Sequence, residues 1–370
     1  MNALSVPRTP GSVSPVKEQY LWVDVLRVFA IAAVVLVHVS ADIITEWRSV
    51  SWSGWWAANF YDSLARGAVP LFVMVSGALL LPRAESYRDF FRKRLKRILI
   101  PFIAWTVFYL LWRKYLFEPS LGFQEAVRRA ACGEVTFHFW FLYLITGLYL
   151  VTPFLRVFTA HATRRDLVYF LGLCFFIASL VPFLENLDAL FFHTGLRFRI
   201  PVEAAQGFIG YFLLGFALLR ESSYLKGPSF LKGAGLLWLA SLLICFFGSG
   251  WVVFHADKFP VLFYDNLAPN VVLYAASFFV IVKETVPRFE ARLGAGVKRS
   301  LLSLSAASFG IYLIHPVFID IFNHGRWGFT LTAKMGAPAW SIPVTVLAVY
   351  ACSYLAVLLI RKVPGLRATV

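Results

Sequence analysis

The chain has 370 residues, 59% of them hydrophobic and 17% aromatic, with a mean hydropathy of +0.70. That composition excludes an ordinary soluble domain and leaves an all-α, polytopic transmembrane bundle as the expected fold class. The net charge of +15 matches the Lys and Arg excess on the cytoplasmic side of membrane proteins and calls for no nucleic-acid partner.

Residues 1–20 are mostly polar, contain Pro7, Pro10 and Pro15, and read as a cytoplasmic tail. The apolar run that follows is too long for a signal-peptide core. Apolar runs read against Pro, Gly and charge clusters predict ten spans, at 21–44, 58–82, 98–117, 137–157, 167–184, 204–220, 234–255, 266–283, 301–322 and 341–361. Each is near the roughly 20 residues that cross a bilayer core. An even number of spans puts both termini inside, with 21–362 as one membrane domain and 363–370 as a second cytoplasmic tail. The densest basic block, "RAESYRDFFRKRLKR" at 83–97, carries seven Lys and Arg and falls on the inner side, as the positive-inside rule requires. No esterase-like domain is expected after the last span.

Cys132, Cys174, Cys245 and Cys352 occur singly, so neither a disulfide framework nor a zinc site is expected, and no metal is assigned. The outer segments "EWRSVSWSGWW" at 46–56 and "NHGRWGFTLTAKMGAPAW" at 323–340 are rich in aromatics. They serve either as headgroup-level belts or as a carbohydrate surface. No serine-hydrolase elbow, HExxH or phosphate-cradling glycine loop is present, so metal and nucleotide-hydrolysis chemistry have no support.

Ionisable residues within spans are costly and mark function by default. The first span carries Asp24, Arg27 and His38. Eleven helical positions turn through roughly 1,100°, about 20° more than three full turns, so Arg27 and His38 share a face about 16.5 Å apart. Asp24, three residues before Arg27, can pair with it on that face. A histidine titrates near neutrality and is the natural general base toward a hydroxyl. Arg66 enters the second span and needs an anion or carbonyl partner; a lipid-carrier phosphate or Glu203 would serve. Trp140 and Tyr143 near the start of the fourth span, and His315 in the ninth, are further candidates for binding substrate, whereas His138 reads as interfacial. His315 precedes Pro316, which frees a carbonyl one turn earlier and makes a local polar site there.

The segment "VDVLRVFAIAAVVLVH" resembles the first helix of the acyltransferase-3 family, in which an arginine is followed, ten residues intervening, by a histidine. "ARGAVPLFVMVSGALLL" at 65–81, "FFRKRLKRILIP" at 90–101, "FWFLYLITGLYLVTPFL" at 139–155, "GYFLLGFAL" at 210–218 and "SFGIYLIHP" at 308–316 continue the likeness in order along the chain. The resemblance implies an enzyme of the bacterial cytoplasmic membrane that takes an acyl group, commonly acetyl, from a coenzyme A thioester and delivers it to a glycan hydroxyl. It makes His38 the catalytic histidine and Arg27 its essential arginine. Arg94 and Arg97 resemble the family's arginine pair, with coenzyme A phosphates as their ligand. Ser76 and Gly77 resemble its small-residue motif, for which close helix packing is the expected role. The implied donor is acetyl-CoA and the implied acceptor a lipid-linked or surface polysaccharide. Polysaccharide-synthesis proteins or a second copy of the chain are compatible partners. A lipid-linked oligosaccharide flippase and a membrane scaffold stay open as rivals.

Overall fold

The structure is a computed structural model that describes residues 20–198, 207–221, 227–259 and 261–370; Glu203 lies outside the described residues. All regular structure among the described residues is helical. Among the described residues, nine helical segments are long and apolar enough to cross a membrane. A tenth, α9 (Ile209–Arg220), has 12 residues, about 18 Å of helix against a bilayer core of roughly 30 Å. Nine of the ten expected spans therefore fall on such helical segments, and the sixth, where it is described, falls on the short α9.

α1 (Leu21–Ile44) matches its expected bounds and sits at the centre of the bundle. Both its ends and most of its length are buried. It packs against α2 (Trp52–Ala65), α3 (Ala68–Leu80), α12 (Pro269–Glu290), α13 (Ala295–Asn323) and α14 (Pro338–Lys362). The expected second span is broken into α2 and α3, with Arg66 and Gly67 at the break. Pro70 has no N–H for the Arg66 carbonyl four residues earlier, which removes one helical hydrogen bond at the break. The break holds Arg66 within the bundle.

α4 (Tyr87–Leu116) begins eleven residues before the expected third span, with Ser86 capping its N-terminus by accepting from the Asp89 N–H. The basic block is thus largely helical, and Arg94 and Arg97 lie one turn apart on one face. α5 (Phe123–Cys132) is a short amphipathic helix with no buried residue, ended by Gly133 at φ 77°. A 3-10 turn, Phe137–Phe139, leads into α6 (Trp140–His161). The fifth span runs through α7 (Arg164–Phe175) and α8 (Val181–Leu187), each followed by a π turn. α10 (Pro228–Ala256) packs on α12, with α11 (Val261–Tyr264) between them in sequence.

α3 and α9 cross at backbone contact. A Cβ at Gly77 would overlap the Phe212 carbonyl oxygen, and one at Gly215 would overlap that of Met74. Small residues are what allow membrane helices to approach so closely where lipid gives no hydrophobic drive for association. The exposed faces are apolar, as with Leu236, Leu243 and Phe247 on α10 and Leu347, Leu355 and Leu359 on α14. At the C-terminus, Thr369 accepts a hydrogen bond from Trp105 Nε1 at 2.8 Å, so the last residues pack back on α4.

Candidate active site

A cavity of about 730 Å³ opens between α1, α3, α4, α6 and α13. α1 contributes Asp24 and Arg27, and α4 contributes Lys93, Arg94 and Arg97. The cavity thus gathers two basic elements that lie 66 to 70 residues apart in the sequence. Asp24 is buried, lies 3.9 Å from Arg27 and accepts a hydrogen bond from Ser305 at 2.5 Å. The positive charge is partly answered by Glu85, which lies 3.8 Å from Arg94, 3.4 Å from Lys93 and 3.0 Å from Arg156. Burial raises the Glu85 carboxyl, and hydrogen bonds from Arg156 and Lys93 outweigh it, leaving the group below its usual value. Arg156 also donates to the Leu80 carbonyl at 2.8 and 3.0 Å, tying α6 to the end of α3. Arg97 makes no ion pair among the described residues.

His38 is not among the residues lining this cavity. The cavity that Arg27 lines therefore stops short of His38. Phe72, Phe141 and Tyr312 line its wall, with ring centroids 6.1 Å apart for Phe72 and Phe141 and 5.5 Å for Phe141 and Tyr312. Tyr312 connects the two regions. It borders the cavity, its hydroxyl donates to the His138 carbonyl, and its ring lies 5.2 Å from His138 and 6.2 Å from His315.

Beyond Tyr312 stand three imidazoles. The His38 ring stacks on His315 with centroids 5.3 Å apart and planes 21° apart, and His138 is 5.5 Å from His315. His315 Nδ1 lies 2.8 Å from the Tyr312 carbonyl that Pro316 leaves free. His138 is 1% exposed, which corrects its interfacial placement: the 3-10 turn before α6 folds it inward against α13.

Arg66 finds a partner that sequence reading did not name. Its Nε is 2.7 Å from Asp62 Oδ2 and its Nη1 donates to the Tyr264 carbonyl at 3.0 Å, while its guanidinium lies 4.0 Å from the Tyr264 ring centre. Asp62 is fully buried, accepts from Ser40 at 3.4 Å, and so links Arg66 to α1 two residues beyond His38. With Asp62 four residues away on its own helix, Arg66 needs neither Glu203 nor a phosphate as counter-ion. That spacing, in "YDSLARGAVP", was the available signal.

Trp140 and Tyr143 are not brought to either region. They are 40% and 39% exposed, and Tyr143 donates to the Ala130 carbonyl at 3.4 Å. The inward face of α6 carries Phe141, Ile145 and Tyr149 instead, spaced four residues apart, and all three line the cavity.

Residues 20–358 match the profile of a known family, described as an acyltransferase domain. Relatives include the probable poly-beta-1,6-N-acetyl-D-glucosamine export proteins of Staphylococcus aureus strains MSSA476, MW2 and N315, each 21% identical over 308 residues, covering 80% of this chain and 81% of theirs. No solved structure matches the chain significantly. With nearly the whole helical bundle inside the matched region, the chain belongs to the acyltransferase-3 family.

Proposed function

We propose that the protein transfers an acyl group, acetyl in the first instance, from a coenzyme A thioester to a sugar hydroxyl of a lipid-linked or surface polysaccharide. The observation that carries this reading is the convergence of Arg27, Arg94 and Arg97 on one cavity whose wall, at Tyr312, lies against His138 and His315, the ring on which His38 stacks. Guanidinium groups in a cleft suit the phosphates of coenzyme A. With the N-terminus cytoplasmic, this end of α1 and the start of α4 face the compartment that supplies the thioester. The protein then resides in the bacterial cytoplasmic membrane.

In the reaction, the acceptor oxygen attacks the thioester carbonyl while His38 takes the hydroxyl proton. The C–S bond breaks as the ester forms, and the proton passes to the departing sulfur to give free coenzyme A. Asp62 and Arg66, tied to α1 through Ser40, brace the helix two residues beyond His38. Tyr312 and the phenyl rings of Phe72 and Phe141 must shift for the thioester to reach His38. Mass spectrometry of surface glycans from cells carrying His38→Ala or Arg27→Ala tests the reading. Loss of acetylation at normal protein level is expected, and retained acetylation refutes both assignments.

A second reading follows from the relatives' name, export of an N-acetylglucosamine polymer. It requires polymer movement without turnover of acetyl-CoA, which a labelled-donor assay separates from acyl transfer.

A further inference from the structure

Pro316 leaves the Tyr312 carbonyl without its helical donor, and His315 Nδ1 takes that place at 2.8 Å, with the Ile311 carbonyl at 3.2 Å. A carbonyl oxygen only accepts, so Nδ1 carries the proton, and in the neutral imidazole Nε2 presents a lone pair. His315 is 0% exposed, and its Nε2 has no hydrogen-bond partner among the described residues. His138 Nε2, in a ring 5.5 Å away, is buried and unpartnered in the same way. Buried polar atoms without partners are uncommon. Two of them stand here beside the ring assigned as the base.

We infer that His315 Nε2 binds the acyl acceptor by accepting a hydrogen bond from a hydroxyl adjacent to the one that reacts. The inference rests on the acyl-transfer reading above. A reacting hydroxyl has one proton, and that proton goes to His38. A lone pair held ready on the stacked neighbour therefore needs a second O–H or N–H on the same molecule. A sugar ring carries such a donor on the next carbon, whereas a simple alcohol does not. Pro316 and His315 together thus select a polyol. Proline removes the backbone donor, the imidazole turns its own N–H to the orphaned carbonyl, and the accepting nitrogen is left for the ligand.

Asparagine and glutamine separate the two nitrogens of His315. In His315→Asn the side-chain amide reaches the position of Nδ1 and keeps the bond to Tyr312, with nothing at Nε2. In His315→Gln the amide oxygen can occupy the position of Nε2. The assay uses the full chain in its native membranes and follows label from acetyl-CoA into the endogenous acceptor. His315→Asn is expected to raise the acceptor KM about tenfold, the worth of one neutral hydrogen bond, with the acetyl-CoA KM unchanged. His315→Gln stays within about threefold of the parent. Pro316→Ala, which restores a backbone donor that competes with His315 Nδ1 for the Tyr312 carbonyl and so releases the tautomer, also raises the acceptor KM. The reverse order, equal effects in Asn and Gln, wild-type behaviour in all three variants, or a change confined to the acetyl-CoA KM overturns the inference. No transfer by the parent protein instead overturns the acyl-transfer reading beneath it, and transfer that persists in His38→Ala overturns the assignment of His38 as the base.

Discussion

The cations of the cavity between α1 and α4 are not equivalent, and Arg97→Gln is the substitution that exposes this. Arg27, Arg83, Lys93, Arg94 and Arg97 line the cavity against Asp24 and Glu85, a formal excess of +3 from five cations and two anions. Glu85 lies near Lys93, Arg94 and Arg156, so Arg94 is already partly neutralised, whereas Arg97 has no such partner among the described residues. A hydrogen bond to a charged group contributes about 1.5–3 kcal/mol, and the exposure of Arg97 argues for the lower end. Loss of about 1.5 kcal/mol is roughly tenfold in affinity. Arg97→Gln should therefore raise the KM for acetyl-CoA about tenfold. Arg94→Gln should raise it less, about threefold, and Glu85→Gln should lower it. The steady-state KM measured across a salt series should also show the Arg97→Gln defect shrinking as salt rises. An unchanged KM in Arg97→Gln, or a larger defect in Arg94→Gln, refutes phosphate binding at this face of α4.

Three further outcomes follow from the structure. Gly77→Ala drives a methyl into the Phe212 carbonyl, so α3 and α9 must separate; a loss of about 1–3 kcal/mol or more is expected as a lowered melting temperature in detergent. Asp62→Asn leaves Arg66 buried without its carboxylate, at a cost of about 3–5 kcal/mol, and Asp62→Asn with Arg66→Met should recover part of it in the same melt. Because folding holds the Glu85 carboxyl low, its contribution is full above the unfolded value of about 4.3 and is lost as pH falls through the folded one. The stability gap between the parent and Glu85→Gln should accordingly narrow as pH drops from about 6 to about 3.

Nine of the ten spans and the bounds of α1 were legible because apolar runs of bilayer length admit little other structure. The extension of α4 to Tyr87 was harder to see, since Arg, Lys and Asp end an apolar run without ending a helix. The break between α2 and α3 was signalled by Pro70, yet a continuous apolar stretch masked it. At the site, the shared face of Arg27 and His38 followed from helical geometry alone. What lay between them did not, because the Phe72, Phe141 and Tyr312 wall is assembled from three helices. The burial of His138 likewise depends on a tertiary contact with α13. The bond between His315 and a freed carbonyl could be read from the adjacency of His315 and Pro316, since proline acts on its own helix.

The most direct test of the account is single-turnover transfer of labelled acetyl from acetyl-CoA, with the protein purified into vesicles that contain extracted acceptor lipid. Labelled ester should appear in the acceptor fraction with the parent protein, and His38→Ala should abolish it while still binding coenzyme A. Acceptor that crosses the bilayer unlabelled while acetyl-CoA remains intact would contradict the account and identify a transporter.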